Sequence, residues 1–122
     1  MSGVIIAVVD DMFFASKIRA VAEAVGVEIS FPRTKETLIQ KAREVKPRLI
    51  IVDLHGQKIE PAGLAAELKA DDELRAIPLL GFFSHVQTEL RRDALDAGFD
   101  EVLPRSVFAR DLPKIFAADL RG

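Results

Sequence analysis

Leu49-Ile50-Ile51-Val52-Asp53 is the stretch whose reading decides the fold. Four apolar residues, three of them β-branched, run without polar alternation into a single carboxylate. Such a run reads as a parallel strand covered on both faces. A carboxylate at its end lies at the carboxyl edge of the sheet, where open α/β sheets keep their ligands. Val4 to Val9 is a second run of this kind and leads into Asp10-Asp11. If the two strands are neighbours, three acidic side chains converge on one crevice.

Working outward, the chain alternates strand and helix five times. A helix is expected from about Phe14 to Ala24, with Ile18, Val21, Ala22 and Val25 on one face and Gly26 as its stop. Val27 to Phe31 reads as a shorter strand. Thr34 is the expected N-cap of a helix running to about Glu44, with Leu38, Ala42 and Val45 inward. After Asp53 comes a polar loop to Glu60, then Pro61 near the start of a third helix carrying Leu64, Ala65 and Leu68. Ile77 to Phe83 reads as the fourth strand, with Phe82 and Phe83 on opposite faces, and Ser84 closes it. A helix from about Val86 to Ala97 follows, then a short strand over Phe99 to Leu103. Pro104-Arg105-Ser106 is expected to turn into the last helix, capped by Ser106 or Asp111. Pro113 places that helix's start late or bends it, since proline is tolerated in a first turn.

Five strands alternating with five helices imply right-handed crossovers and a parallel sheet with helices on both faces. Strand order is not written in the sequence. Order 2-1-3-4-5 sets the first and third strands side by side, as the acidic cluster requires.

Composition narrows the function classes. The chain has 122 residues, 49% apolar and 30% charged, with a formal charge of -2. That charge argues against a general nucleic-acid or anionic-membrane surface. With no tryptophan or tyrosine, base stacking falls to phenylalanine alone. The absence of cysteine removes disulfides, thiolate metal sites and cysteine nucleophiles. Apolar runs stop at about six residues against the roughly 20 that span a bilayer, and no signal-peptide pattern is present. A cytoplasmic location is expected.

Asp10-Asp11, Asp53, Ser84 and Arg105 stand at four strand ends. Carboxylates crowded together repel one another unless a cation compensates. Oxygen ligands without histidine or cysteine in the set suit a hard ion, with Mg2+ the natural candidate. A carboxylate beside such an ion, a hydroxyl and a basic side chain is placed for phosphoryl transfer. Arg105 has a second reading, a salt bridge to Asp53 or Asp10 that locks the pocket and competes with the metal. His55 and His85 are too loosely related to imply a metal site of their own. In Phe13-Phe14, one ring is expected in the core and the other exposed, at the pocket rim or at a partner site.

These residues carry a resemblance. In order and spacing the chain resembles the response-regulator receiver domain of two-component signalling over essentially its whole length. Asp10-Asp11 follow the first strand, Asp53 stands 42 positions after Asp11, and Ser84 stands 31 further on. The segment Ala94-Leu95-Asp96-Ala97-Gly98-Phe99-Asp100-Glu101-Val102-Leu103-Pro104 is similar to the family's approach to its fifth strand. The resemblance implies one flavodoxin-like (βα)5 domain over residues 1–122. It implies that Asp53 accepts a phosphoryl group from a histidine kinase or phosphotransfer protein. It further implies that Asp11, assisted by Asp10, holds Mg2+ together with Asp53 and the His55 carbonyl, and that Ser84 bonds the phosphoryl group. Activity is then limited to the chain's own phosphoryl transfer and aspartyl-phosphate hydrolysis. A downstream protein would read the change at the face of the fourth helix, fifth strand and fifth helix, with homodimerisation another route for output.

The sequence also departs from the family. Arg105 stands for its lysine, and a planar guanidinium does not replace a compact ammonium in a tight pocket. Ser106 follows where the family has proline, Val102 replaces the switch aromatic, Gln57 stands where a proline is usual, and His85 replaces alanine. The expectation is an atypical receiver that keeps its acceptor carboxylates with a weakened switch. The alternative is a pseudo-receiver that acts as a protein-interaction module without phosphate. A flavin carrier of like topology is disfavoured, because an acidic first loop is the wrong chemistry for a phosphate.

Overall fold

The computed structural model describes residues 3–57, 59–84 and 88–117. Ten elements follow in strict alternation: β1 (Ile5–Val8), α1 (Met12–Val25), β2 (Ile29–Ser30), α2 (Lys35–Val45), β3 (Leu49–Asp53), α3 (Pro61–Lys69), β4 (Leu79–Phe83), α4 (Thr88–Ala97), β5 (Glu101–Pro104) and α5 (Arg105–Ala117). The strands form one parallel sheet in the order β2-β1-β3-β4-β5. β1 lies directly against β3, with Ile5 opposite Leu49 and Val8 opposite Val52. Asp53 is opposite Phe82 on β4. The acidic ends of β1 and β3 are therefore neighbours at one edge of the sheet.

Every residue of β3 is buried because both faces of the sheet are covered. Leu49 and Ile51 point to a layer formed by α1 and α5, where they meet Phe14, Ile18, Ala22, Phe108, Leu112 and Phe116. Ile50 and Val52 point to the opposite layer, made by Leu38 and Ala42 of α2, Leu64, Ala65 and Leu68 of α3, and Ala94 of α4. Phe82 belongs to the first layer and Phe83 to the second, as alternation along a strand requires. Phe82 stacks on Phe108 at 4.8 Å and meets Phe14 edge-on at 5.2 Å, which ties the starts of both site-bearing helices to β4.

Helix ends follow the chemistry of the chain. Asp11 caps α1 by accepting from the backbone N–H groups of Phe13 and Phe14, and Gly26 closes the helix at φ 76°. The Thr34 hydroxyl accepts from the Thr37 N–H at the start of α2. Two expectations change. β2 shrinks to Ile29–Ser30, a half-buried edge strand whose residues have a neighbour on one side only. α5 starts directly at Arg105, with no separate turn after β5, and carries Pro113 in its interior. Proline there removes the N–H that would bond the Ala109 carbonyl. The burial of Phe108, Leu112 and Phe116, spaced four residues apart on one face, outweighs that loss.

Candidate functional site

The candidate site is built from the ends of β1, β3, β4 and β5. Asp53 is the last residue of β3 and is only 8% exposed, the one buried charged residue among those described. Its Oδ1 accepts the His55 N–H at 2.9 Å, a turn that fixes the carboxylate by its own following loop. Burial pushes the Asp53 carboxyl above the ordinary aspartate range. The charge of Asp10 pushes the same way, while the His55 N–H, His55 itself and the Arg105 guanidinium pull it down. Asp53 is therefore in electrostatic reach of Asp10 and Arg105.

Asp10 is bound into the same loop, since its Oδ2 accepts the Gln57 N–H at 2.8 Å. Leu54 anchors that loop from below. It is buried, and its side chain lies over Gly81 of β4, where a Cβ would sit 2.9 Å from Leu54 Cδ2. A side chain at 81 would crowd the leucine that seats the loop after Asp53.

Asp11 is committed on both carboxylate oxygens. Oδ1 accepts the N–H groups of Phe13 at 2.9 Å and Phe14 at 3.1 Å, and Oδ2 accepts from Arg105 Nη2 at 2.9 Å. Arg105 holds the Asp11 carboxyl below its ordinary range, with the N-cap bonds adding to the effect. The same guanidinium sits over the Phe14 ring, 4.0 Å from its centroid. The expected bridge from Arg105 to Asp53 or Asp10 is thus corrected: its partner is Asp11. The reason is Phe14, whose buried ring offers a π face beside the helix N-terminus that Asp11 caps.

Ser84 is exposed and lines a groove of ≈ 650 Å3 with Phe13, Lys17, Pro104, Arg105 and Ser106. Phe13 is 90% exposed at its rim and Met12, next to it, 81%, while Phe14 is in the core. Val102 is buried on β5 opposite Gly81. The expectation for His85 falls outside the described residues. Two contributors have no counterpart in the sequence analysis, the Gln57 backbone N–H and the Phe14 ring under Arg105. A backbone donor has no residue signature, and an aromatic at a core position looks like core.

A divalent ion does not fit these residues as they stand. Among the described residues no three histidine, cysteine, aspartate or glutamate side chains are grouped to hold a metal. Asp11, the expected principal ligand, has given its oxygens to the α1 N-terminus and to Arg105.

No family model matches the sequence, and no curated protein matches it. Solved structures do. A two-component response regulator from Clostridium difficile superposes with a TM-score of 0.81 at 19% identity, over 99% of this chain and 97% of that one. The fold is that of response-regulator receivers. The phosphorylated cyanobacterial phytochrome response regulator RcpA matches with a TM-score of 0.77 at 20% identity, over 95% of this chain and 89% of that one. The Mn2+-bound form of response regulator Rcp1 matches with a TM-score of 0.73 at 20% identity, over 93% and 88% of the two chains. The sheet order in this receiver fold is the one the acidic cluster requires. Among the described residues no helix is long and apolar enough to cross a membrane.

Proposed function

We propose that the chain is a signal receiver whose reactive group is the Asp53 carboxylate, phosphorylated by a histidine kinase or phosphotransfer protein and read out through protein contacts. The observation that carries this reading is the placement of Asp53. It is a buried carboxylate at the end of a central strand, held through one oxygen by His55 N–H, with Asp10 and Arg105 in electrostatic reach. That arrangement leaves the second oxygen to act as a nucleophile. It attacks phosphorus as the P–N bond of a phosphohistidine breaks, and the imidazole leaves with the bonding pair and takes up a proton. Arg105 and the Ser84 hydroxyl, which border one groove, would meet the phosphoryl oxygens. Two solved proteins of this fold add support, one phosphorylated and one bound to Mn2+.

Mg2+ is the ion an all-oxygen basin of Asp10, Asp11, Asp53 and the His55 carbonyl would take, once Asp11 is released. The step above does not pass through it. Output would leave by the face of α4, β5 and α5, to a downstream protein or a second copy of the chain. Val102 has no ring to swing inward, so the conformational response there is expected to be small.

The test is incubation with a small phosphoryl donor such as acetyl phosphate, followed by intact-mass measurement. One phosphoryl adduct that is released by alkali and by hydroxylamine, as an acyl phosphate is, and that is lost in Asp53→Asn supports the reading. No adduct from this donor or from a phosphohistidine protein rejects it. The Arg105–Asp11 bridge favours one other reading, a phosphate-independent interaction module in which the bridge replaces the ligand. That reading expects no adduct and partner binding unchanged by Asp53→Asn.

A further inference from the structure

Arg105 is the residue whose surroundings the proposed chemistry leaves unexplained. Its guanidinium acts electrostatically on Asp53, yet it bonds Asp11, a carboxylate already bound by two backbone N–H groups. Asp11 is held in place as the N-cap of α1, Phe14 three residues later supplies a ring 4.0 Å below the guanidinium, and Arg105 opens α5. α1 and α5 pack on the same face of the sheet, and Phe14, Phe82 and Phe108 lock their starts together. Core packing thus fixes the helix starts and the Phe14 ring, and the N-cap bonds fix Asp11, so the partly exposed guanidinium has a prepared seat before any ligand arrives. A lysine would keep the charge and lose both the flat stacking and the forked donors.

We infer that Phe14 and Asp11 hold Arg105 as a resident cation, and that a divalent ion binds this basin only by displacing it. Phe14 is then a positioning residue, and Arg105 sets the site's affinity for metal. The inference takes from the proposed function only the acidic basin and is independent of whether Asp53 is ever phosphorylated.

The experiment is a titration of the full chain with Mn2+, followed by broadening of amide resonances around Asp10 and Asp53, and in parallel with Mg2+, followed by shifts. Wild type is compared with Arg105→Gln and with Lys17→Gln. Lys17 lines the same groove as Arg105, so its removal deletes a nearby charge while leaving the clamp intact. Arg105→Gln is expected to bind Mn2+ about tenfold more tightly, the scale of one stacked guanidinium and one half-exposed ion pair together. Lys17→Gln is expected to change little. A gain in Arg105→Gln below about threefold on that scale, or no larger than in Lys17→Gln, overturns the inference, as does failure of both wild type and Arg105→Gln to bind the metal. A wild-type readout keeps the test decisive even if Arg105→Gln folds poorly. Over the Phe14 ring the Arg105 side-chain protons resonate upfield, and Mg2+ saturation is expected to release that shift. Retention of the shift at saturation shows that metal and clamp coexist, which also overturns it. Tighter metal binding in Arg105→Gln without any phosphoryl adduct on Asp53 would leave this inference standing and remove the proposed function.

Discussion

Gly81→Ala is expected to disturb the loop that holds Asp53, although residue 81 touches no charged group of the site. An added Cβ would meet Leu54 Cδ2 at 2.9 Å, Cγ at 3.0 Å and Cδ1 at 3.2 Å. Carbon atoms pack at about 3.5–4.0 Å, so the leucine must retreat by roughly 0.6 Å. It has little room, because Leu54 is buried in the layer with Val52, Phe83 and Val102. Overpacking of a close-packed core costs about 1–3 kcal/mol. The smaller entropy of an unfolded chain bearing alanine returns about 0.4–1 kcal/mol. From the middle of both ranges the net loss is about 1–2 kcal/mol, or about 3–10 °C in Tm for a chain of this length. Thermal and urea denaturation followed by circular dichroism measure it. Because Leu54 leads directly into the His55 N–H bond to Asp53, amide shifts are expected at residues 54–57. Leu54→Ala alone opens a cavity costing about 2–5 kcal/mol, and adding Gly81→Ala to it is expected to be neutral or stabilising. If Gly81→Ala is as stable as wild type, or destabilises the Leu54→Ala variant as much as it does the wild type, the packing account of this loop is wrong.

Other consequences follow from single groups. Burial raises the Asp53 pKa in the folded state, so the folded protein binds that proton more readily than the unfolded chain. The cost of the buried charge is therefore present at neutral pH and is relieved as pH falls through the folded pKa. Asp53→Asn is expected to melt higher than wild type at neutral pH, with the gap closing on acidification. A gap that widens in acid would falsify that sign. Pro113→Ala restores the missing N–H bond inside α5 and is expected to add about 1–3 kcal/mol. An unchanged or lower urea midpoint would show that the helix is adapted to its proline. Arg105→Gln is expected to tighten divalent-ion binding, by the titration described above.

Much of this architecture was legible in the sequence, for reasons that can be named. Val4 to Val9 and Leu49 to Val52 have no polar alternation, and that fits only strands covered on both faces. Gly26, Thr34 and Pro61 each punctuate a helix by local backbone chemistry, and each stands at the helix end where that chemistry places it. The edges were less readable. Val27 to Phe31 looks like a strand by composition, but only Ile29–Ser30 pair, because an edge position supplies no second neighbour. Pro113 misled in the other direction, since local propensity weighs one missing hydrogen bond and tertiary packing weighs three buried side chains. At the site, the identity of the charged residues could be read, and their pairing could not. Arg105 bonds Asp11 because Phe14 lies beneath it, a relation between residues 91 positions apart in the chain. The Gln57 N–H on Asp10 is a backbone group that any residue but proline would offer.

The most direct measurement is beryllofluoride binding, with and without Mg2+, followed by fluorine and amide nuclear magnetic resonance. The account expects a bound fluorine signal that is lost in Asp53→Asn, with amide shifts at residues 53–57 and at Ser84 and small changes at Val102. No bound signal at any Mg2+ concentration, or one that persists in Asp53→Asn, would contradict the claim that Asp53 is the reactive carboxylate of this fold.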